Sequence, residues 1–275
     1  MRRGIIHALK ALLGLGHANE SLTKTDKIES LTIRQAKALA RHRGKTLELN
    51  GLTALTSQVA EVLASHKASA LELNGLAFLT PPTAEALAKH EGDLYLNCLT
   101  SLTPPLAEAL AKHKGRELSL NGVTSLTAKV AQALARYKGE WLFVDGLTSL
   151  TPDTAQALAK YEGECLSLNG LTSLTPEVAQ ALAKHEGRLS LDGLNTLTAE
   201  GAETLVKYKG YQLRLAGLTS LTLEAAKALA KYEGVDLLLT GLTEVDEEVL
   251  AVLKYRPQIE LPENLRHYPY GKHHR

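Results

Sequence analysis

The chain has 275 residues, enough for one compact domain or two small ones, and 44% of them are apolar while only 4% are aromatic. Its core must therefore be built from Leu and Ala in thin, regular layers. Lys plus Arg (31) nearly cancels Asp plus Glu (30), and the signs alternate along the chain, which argues against a partner that is a nucleic acid or an acidic membrane surface.

Residues 1–27 read as an N-terminal capping helix and linker, because Ile5, Ile6, Leu9, Leu12 and Leu13 form one apolar stripe and a repeat array needs its first end covered. Met1, Arg2 and Arg3 precede an apolar run in the manner of a secretory leader, but His7 and Lys10 interrupt it. No segment approaches the roughly 20 apolar residues of a membrane span. Two cysteines, Cys98 and Cys165, are too few for a disulfide framework and occupy different repeat positions, so a cytoplasmic location is expected.

From residue 28 the chain repeats itself. The best copy is residues 166–188, LSLNGLTSLTPEVAQALAKHEGR, and its opening Leu recurs at Leu47, Leu71, Leu94, Leu118, Leu142, Leu166, Leu189, Leu213 and Leu237, at intervals of 24, 23, 24, 24, 24, 23, 24 and 24. A half unit from Ile28 precedes the first copy, and a degenerate strand, Gln258 to Leu261, follows the last helix. Solenoid boundaries of 28–262 follow, and residues 263–275 lack periodicity and are expected to form a flexible tail.

Within a unit, L-x-L alternates with period two, which predicts a short strand with both leucines on one face. Thr175 then offers a helix N-cap, Pro176 a pre-set φ at the first helical position and Glu177 a negative charge at the positive end of the dipole. Val178, Ala179, Leu182 and Ala183 form the apolar stripe of a helix that the sequence carries on to Lys184, His185 and Gly187. A unit of this size cannot bury its own apolar face, so neighbours must stack, with parallel strands linked by right-handed helical crossovers. Strands pack about 4.8 Å apart and helices about 8 to 10 Å, which bends the stack with its strands inside. The helix alanines thin the outer layer and open the arc.

This pattern resembles the leucine-rich repeat family, in particular bacterial proteins built from near-identical LxLNGLTSLTPExAxALAKHxG units. The resemblance implies an α/β solenoid with a parallel β-sheet on the concave face and short helices on the convex face, and a role in macromolecular binding. One departure lies in the turn, where the family's LxxLxLxxNxL pattern has Asn three positions after the second strand Leu. Here Leu171 stands there, and Asn169 comes directly after the strand.

Several columns invite chemistry. His42, His66, His90, His113 and His185 share one helix-end position that elsewhere holds Tyr137, Tyr161, Tyr208 and Tyr232. A metal site does not exchange imidazole for phenol, whereas a half-buried flat ring with a polar tip does, so packing is expected and no metal. Asn50, Asn74, Asn97, Asn121 and Asn169, with Asp145 and Asp192, read as a ladder satisfying the turn backbone, with calcium at the two aspartates alone as the lesser alternative. Lysines such as Lys89 and Lys184 suit the negative end of the helix dipole. Phosphate loops, G-x-S-x-G and H-E-x-x-H are missing from the sequence, so neither an enzyme nor a cofactor is expected.

The outward positions of the strands are free to specialise. Trp141, the chain's single Trp, and Phe143, one of two Phe, share a strand and should both project, solvent-exposed, from the concave sheet, with Tyr95 and Arg116 on one side and Arg188 and Arg214 on the other. Aromatic residues and arginine are what interface anchors are made of. Two readings stay open: a protein- or peptide-binding module using this face, and a structural scaffold or homo-oligomer assembling through its open ends. An unrecognised enzyme is a remote third.

Overall fold

The computed structural model describes residues 28–41 and 45–266. The N-terminal stripe of Ile5 to Leu13, His42, and the tail residues Tyr268 and Tyr270 fall outside the described residues. Short strands alternate with two-turn helices along the chain: β1 (Thr46–Glu48), β2 (Ala70–Glu72), β3 (Asp93–Tyr95), β4 (Glu117–Ser119), β5 (Trp141–Phe143), β6 (Cys165–Ser167), β7 (Arg188–Ser190), β8 (Gln212–Arg214), β9 (Asp236–Leu238) and β10 (Ile259–Glu260). They form one parallel, unclosed sheet in sequence order. Register keeps the central leucines together, with Leu142 opposite Leu118 and Leu166, so the middle leucine of each of the first nine strands continues one buried row.

Each helix from Ile33–Leu39 to Leu223–Leu229 starts on a Thr whose side chain accepts the N3 backbone N–H, as Thr175 does from Val178. Pro81, Pro104, Pro152 and Pro176 hold the first helical position. The helices end sooner than the sequence suggests. Pro176–Leu182 is followed by a tightened turn in which Lys184 N donates to Ala181 O at 3.3 Å and His185 N to Leu182 O at 3.0 Å. That turn swings the ring of His185 inward, and it leaves Ala181 buried beside Ala179 while Ala183 is only half-buried. Four of the tail's residues, Glu263–Arg266, form one further helical turn, with Leu265 buried.

After four of the strands the chain turns on Asn-Gly, as at Asn169-Gly170, and Asn-Cys, Asp-Gly, Ala-Gly or Thr-Gly stands in the same place after five others. Leu171 N donates to Leu168 O at 3.1 Å, closing the turn, and Leu171 itself is buried in the place where the family pattern has Asn. Gly170 is required there, since a β-carbon would overlap the carbonyl oxygen of Asp145 in the preceding coil. Asn97 shows the ladder's bonding: its Oδ1 accepts from Asn121 N at 2.9 Å and from Ser119 Oγ at 2.7 Å. The same acceptor role passes from Asn50 through Asp145 and Asn169 to Asp192. Oδ1 of Asp145, read from sequence as a calcium candidate, accepts from Ser167 Oγ at 2.6 Å and Asn169 N at 2.8 Å.

The ring column is a spine through the core. His113, Tyr137 and Tyr161 stack with centroids 6.0 and 6.1 Å apart, and Tyr161 meets His185 at 6.2 Å. Rings expected to be half-buried are fully buried, at 0 to 3% exposure for the four described histidines, because each is covered by the coils before and after it. Lysines at the helix ends do more than cap: Lys89 and Lys112 reach back to Glu61 and Glu85 of the preceding helix, at 2.7 and 2.6 Å. These pairs are exposed and hold little stability.

Candidate binding face

The concave face is made by residues that flank each strand leucine. In β5, Leu142 is buried and its neighbours Trp141 and Phe143 point the other way. Their rings meet edge to face, centroids 6.5 Å apart and planes at 89°. Arg116, one coil earlier, lays its guanidinium carbon 5.1 Å from the indole centroid while bonding Glu140 at 2.8 Å. A cation over indole is favourable, and here it also shields the ring. Both aromatics are consequently half-buried, not fully exposed as their alternation implied. Phe143 is flanked in register by Ser119 and Ser167, which are 2% and 1% exposed, so a large ring rises between two small residues.

Arg116, Trp141 and Phe143 are therefore one cluster. The other residues of the expected site are not in it. Tyr95 stands in β3, two strands away, half-buried among Glu72, Asp93 and Glu117; burial first, and then those carboxylates, raise its hydroxyl pKa. The Glu117 carboxyl is itself raised, chiefly by burial, against a lowering hydrogen bond from Tyr95. Arg188 stands in β7, two strands to the other side of Trp141 across Cys165. Arg214 lies one strand further and is engaged by Asp192 at 2.8 Å. The Cys165 thiol is pushed up to about 11 by burial, so it stays protonated and a poor nucleophile.

Three features escaped the sequence reading. Phe78, 74% exposed, projects from the turn after β2, where T-S-L-T becomes A-F-L-T. The two 23-residue intervals were also visible, and they mark turns that lack the residue between the coil's Gly and its strand: Gly92 leads directly to Asp93, and Gly187 to Arg188. A groove of about 600 Å³ opens beside the first and one of about 1000 Å³ beside the second. Among the described residues no helix is long and apolar enough to cross a membrane, and no three His, Cys, Asp or Glu side chains group to hold a metal ion.

No protein-family model matches the sequence, and no curated protein does. Among solved structures, a chain of the Toll - Spatzle complex, a molecular hub in Drosophila development and innate immunity, aligns over 80% of this chain at 14% identity with a TM-score of 0.50. This chain spans 29% of the length of that one. A leucine-rich-repeat protein of Leptospira interrogans aligns over 86% of this chain and 81% of its own at 17% identity, TM-score 0.37. A chain of the yeast Rad7 and Elc1 complex aligns over 95% and 81% at 15% identity, TM-score 0.39. Nothing rests on these two looser superpositions. Ten parallel strands in sequence order, buried leucines on one face of the sheet and a two-turn helix after each of the first nine strands make this chain, by fold, a leucine-rich-repeat-type β/α solenoid.

Proposed function

We propose that the chain is a non-catalytic binding module that presents its concave sheet to a protein or peptide, with Trp141, Phe143 and Arg116 as the anchor. The observation carrying this reading is the cluster itself: the single Trp of the chain, half-buried between a half-buried Phe and an exposed Arg, on a mostly polar face. Such groups dominate the energetics of interfaces, and apolar surface left in water costs about 25 cal/mol per Å² relative to burial. Tyr95, Arg188 and Arg214 lie along the same face as secondary contacts. The partner in the Toll - Spatzle complex belongs to that protein; here the complex illustrates that a solenoid of this type sits in a protein assembly.

Selection from a displayed random-peptide library tests the anchor. Clones enriched on the native chain should carry an apolar residue and should lose binding by about thirty-fold or more, equivalent to over 2 kcal/mol, to the Trp141→Ala/Phe143→Ala variant. Its thermal midpoint must stay close to that of the native chain, since both rings are only half-buried. Enriched clones that bind the variant equally well would remove the anchor. Sedimentation across concentrations addresses the scaffold reading: the binding-module reading expects a monomer throughout.

A further inference from the structure

The two shortened turns fall symmetrically about the anchor. Asp93 opens β3, Trp141 opens β5 and Arg188 opens β7, all in one column on the concave face, so each groove lies two strands from the indole. The strand residue at the mouth of the first groove is an acid and that of the second is a base. Asp93 has Glu72 and Glu117 beside it, all three facing Tyr95. Arg188 has a buried Nε with no hydrogen-bond partner, and Lys160 and Lys184 line the same groove. Groove walls carry both signs, Lys89 and Arg116 in the first, the latter held by Glu140, and Glu162 and Glu186 in the second, so polarity on the concave side is set by the strand residues. The next base along the sheet, Arg214, is already held by Asp192.

We infer that the occupant of this face is an extended peptide segment lying across the strands, carrying a basic side chain over Asp93 and Glu117, an apolar side chain on Trp141 and Phe143, and a carboxylate on Arg188. This rests on the binding-face reading and gives it a chemistry. Strand spacing of about 4.8 Å puts each charged mouth roughly 10 Å from the anchor. An extended chain in the polyproline II form advances about 3.1 Å per residue and turns once every three, so side chains three residues apart share one face at roughly 9 Å spacing, in the order basic, apolar, acidic, read in either chain direction. Basic ends at both sides, or acidic ends at both, would each bring one like-charged pair together, which the arrangement discriminates against.

Trp141 is the only Trp in the chain, so its emission reports on the anchor directly. The probes are blocked peptides with Lys, Leu and Glu spaced three residues apart on a serine background, compared with Lys-Leu-Lys and Glu-Leu-Glu versions. Titrated into the full chain at low salt, the mixed peptide should shift Trp141 emission at a concentration at least ten-fold lower than either like-ended peptide. Arg188→Glu, a change at a partly exposed position, should reverse the ranking so that Lys-Leu-Lys binds best, with circular dichroism unchanged. If Arg188→Glu disturbs folding, Arg188→Gln should abolish the preference for the Glu end instead. Equal midpoints for the three peptides would overturn the charge order while leaving the apolar anchor intact. No emission change with any of them would also overturn it, and the anchor falls as well only if library selection returns nothing sensitive to Trp141 and Phe143. Self-association that shifts Trp141 emission without peptide would replace the peptide by a second copy of the chain.

Discussion

His113 and His185 occupy equivalent places in the ring spine but have different company. His113 follows His90 and precedes Tyr137, whereas His185 follows Tyr161 and precedes Tyr208 in the column. Burial depresses the basicity of both, and in His113 the neighbouring imidazole of His90 depresses it further, to about 4. The phenols of the spine have no such liability. Tyr137 and Tyr161 donate to the carbonyls of Gly115 and Gly139 in the preceding coil at 2.8 Å, while the ring nitrogens of His90, His113 and His185 make no well-aligned hydrogen bond. One backbone column thus accepts two ring types, and their polar ends make the half with His90 and His113 more acid-sensitive than the half in which His185 stands between tyrosines.

Acid should give the largest effect. The folded-state pKa of His113 lies below the ordinary value of 6.5, so the unfolded chain takes up the proton first. Its contribution is complete above pH 6.5 and is lost as pH falls toward 4. At 1.36 kcal/mol per unit the loss reaches about 3 kcal/mol for His113, with His90 shifted the same way, again mainly by burial. Denaturant unfolding at pH 7 and pH 4.5 measures this, and amide exchange should show residues 57–120 opening first. His113→Tyr should remove most of the acid loss, because a phenol there can reach the Gly92 carbonyl as Tyr137 reaches Gly115. Uniform opening of both halves, or acid loss undiminished in His113→Tyr, would dissolve the contrast.

A second substitution controls for position. The asparagine ladder runs through both halves, so Asn97→Ala and Asn169→Ala should cost alike and at every pH. Asn97 Oδ1 accepts from Asn121 N and Ser119 Oγ, and Asn169 Oδ1 from Asp192 N and Ser190 Oγ. Losing the acceptor strands the next coil's backbone N–H in both, and the Ser119 hydroxyl at Asn97, whereas Ser190 keeps Asp192 at 3.3 Å, so a cost of about 2 kcal/mol is expected in each. Unequal costs in urea titration would mean that the coils differ in more than their rings.

The architecture could be read from the sequence because it is local and reiterated: the Leu row, the Thr caps and the Asn-Gly turns each recur in register, and stacking adds nothing that one unit does not already specify. What stayed hidden depends on neighbouring coils. Alternation said that Trp141 points outward, but only the fold brings Arg116 across from the coil before to cover it. The histidine column looked half-buried from one unit, since the covering rings belong to others. The grooves were encoded in two intervals of 23, a signal that acquires meaning only when adjacent turns are laid side by side. Phe78 needed no structure at all, only attention to a broken T-S-L-T.

The smallest expected effect tests the phenol half. Tyr137 is fully buried, stacked between His113 and Tyr161, and spends its hydroxyl on Gly115 O in the coil before. Tyr137→Phe keeps the ring, its volume and both stacking contacts, so any change isolates the hydrogen bond. A net hydrogen bond of this kind is worth about 1 kcal/mol, and the carbonyl left behind is sheltered, so a loss of about 1 kcal/mol is expected. Because a phenol stays neutral throughout the acid range, that loss should be the same at pH 7 and pH 4.5, unlike anything done to His113. Parallel urea transitions for native and variant chains at the two pH values make the comparison. A loss that grows in acid would show that the Tyr137 hydroxyl steadies the neutral imidazole of His113 next to it as well as the coil before.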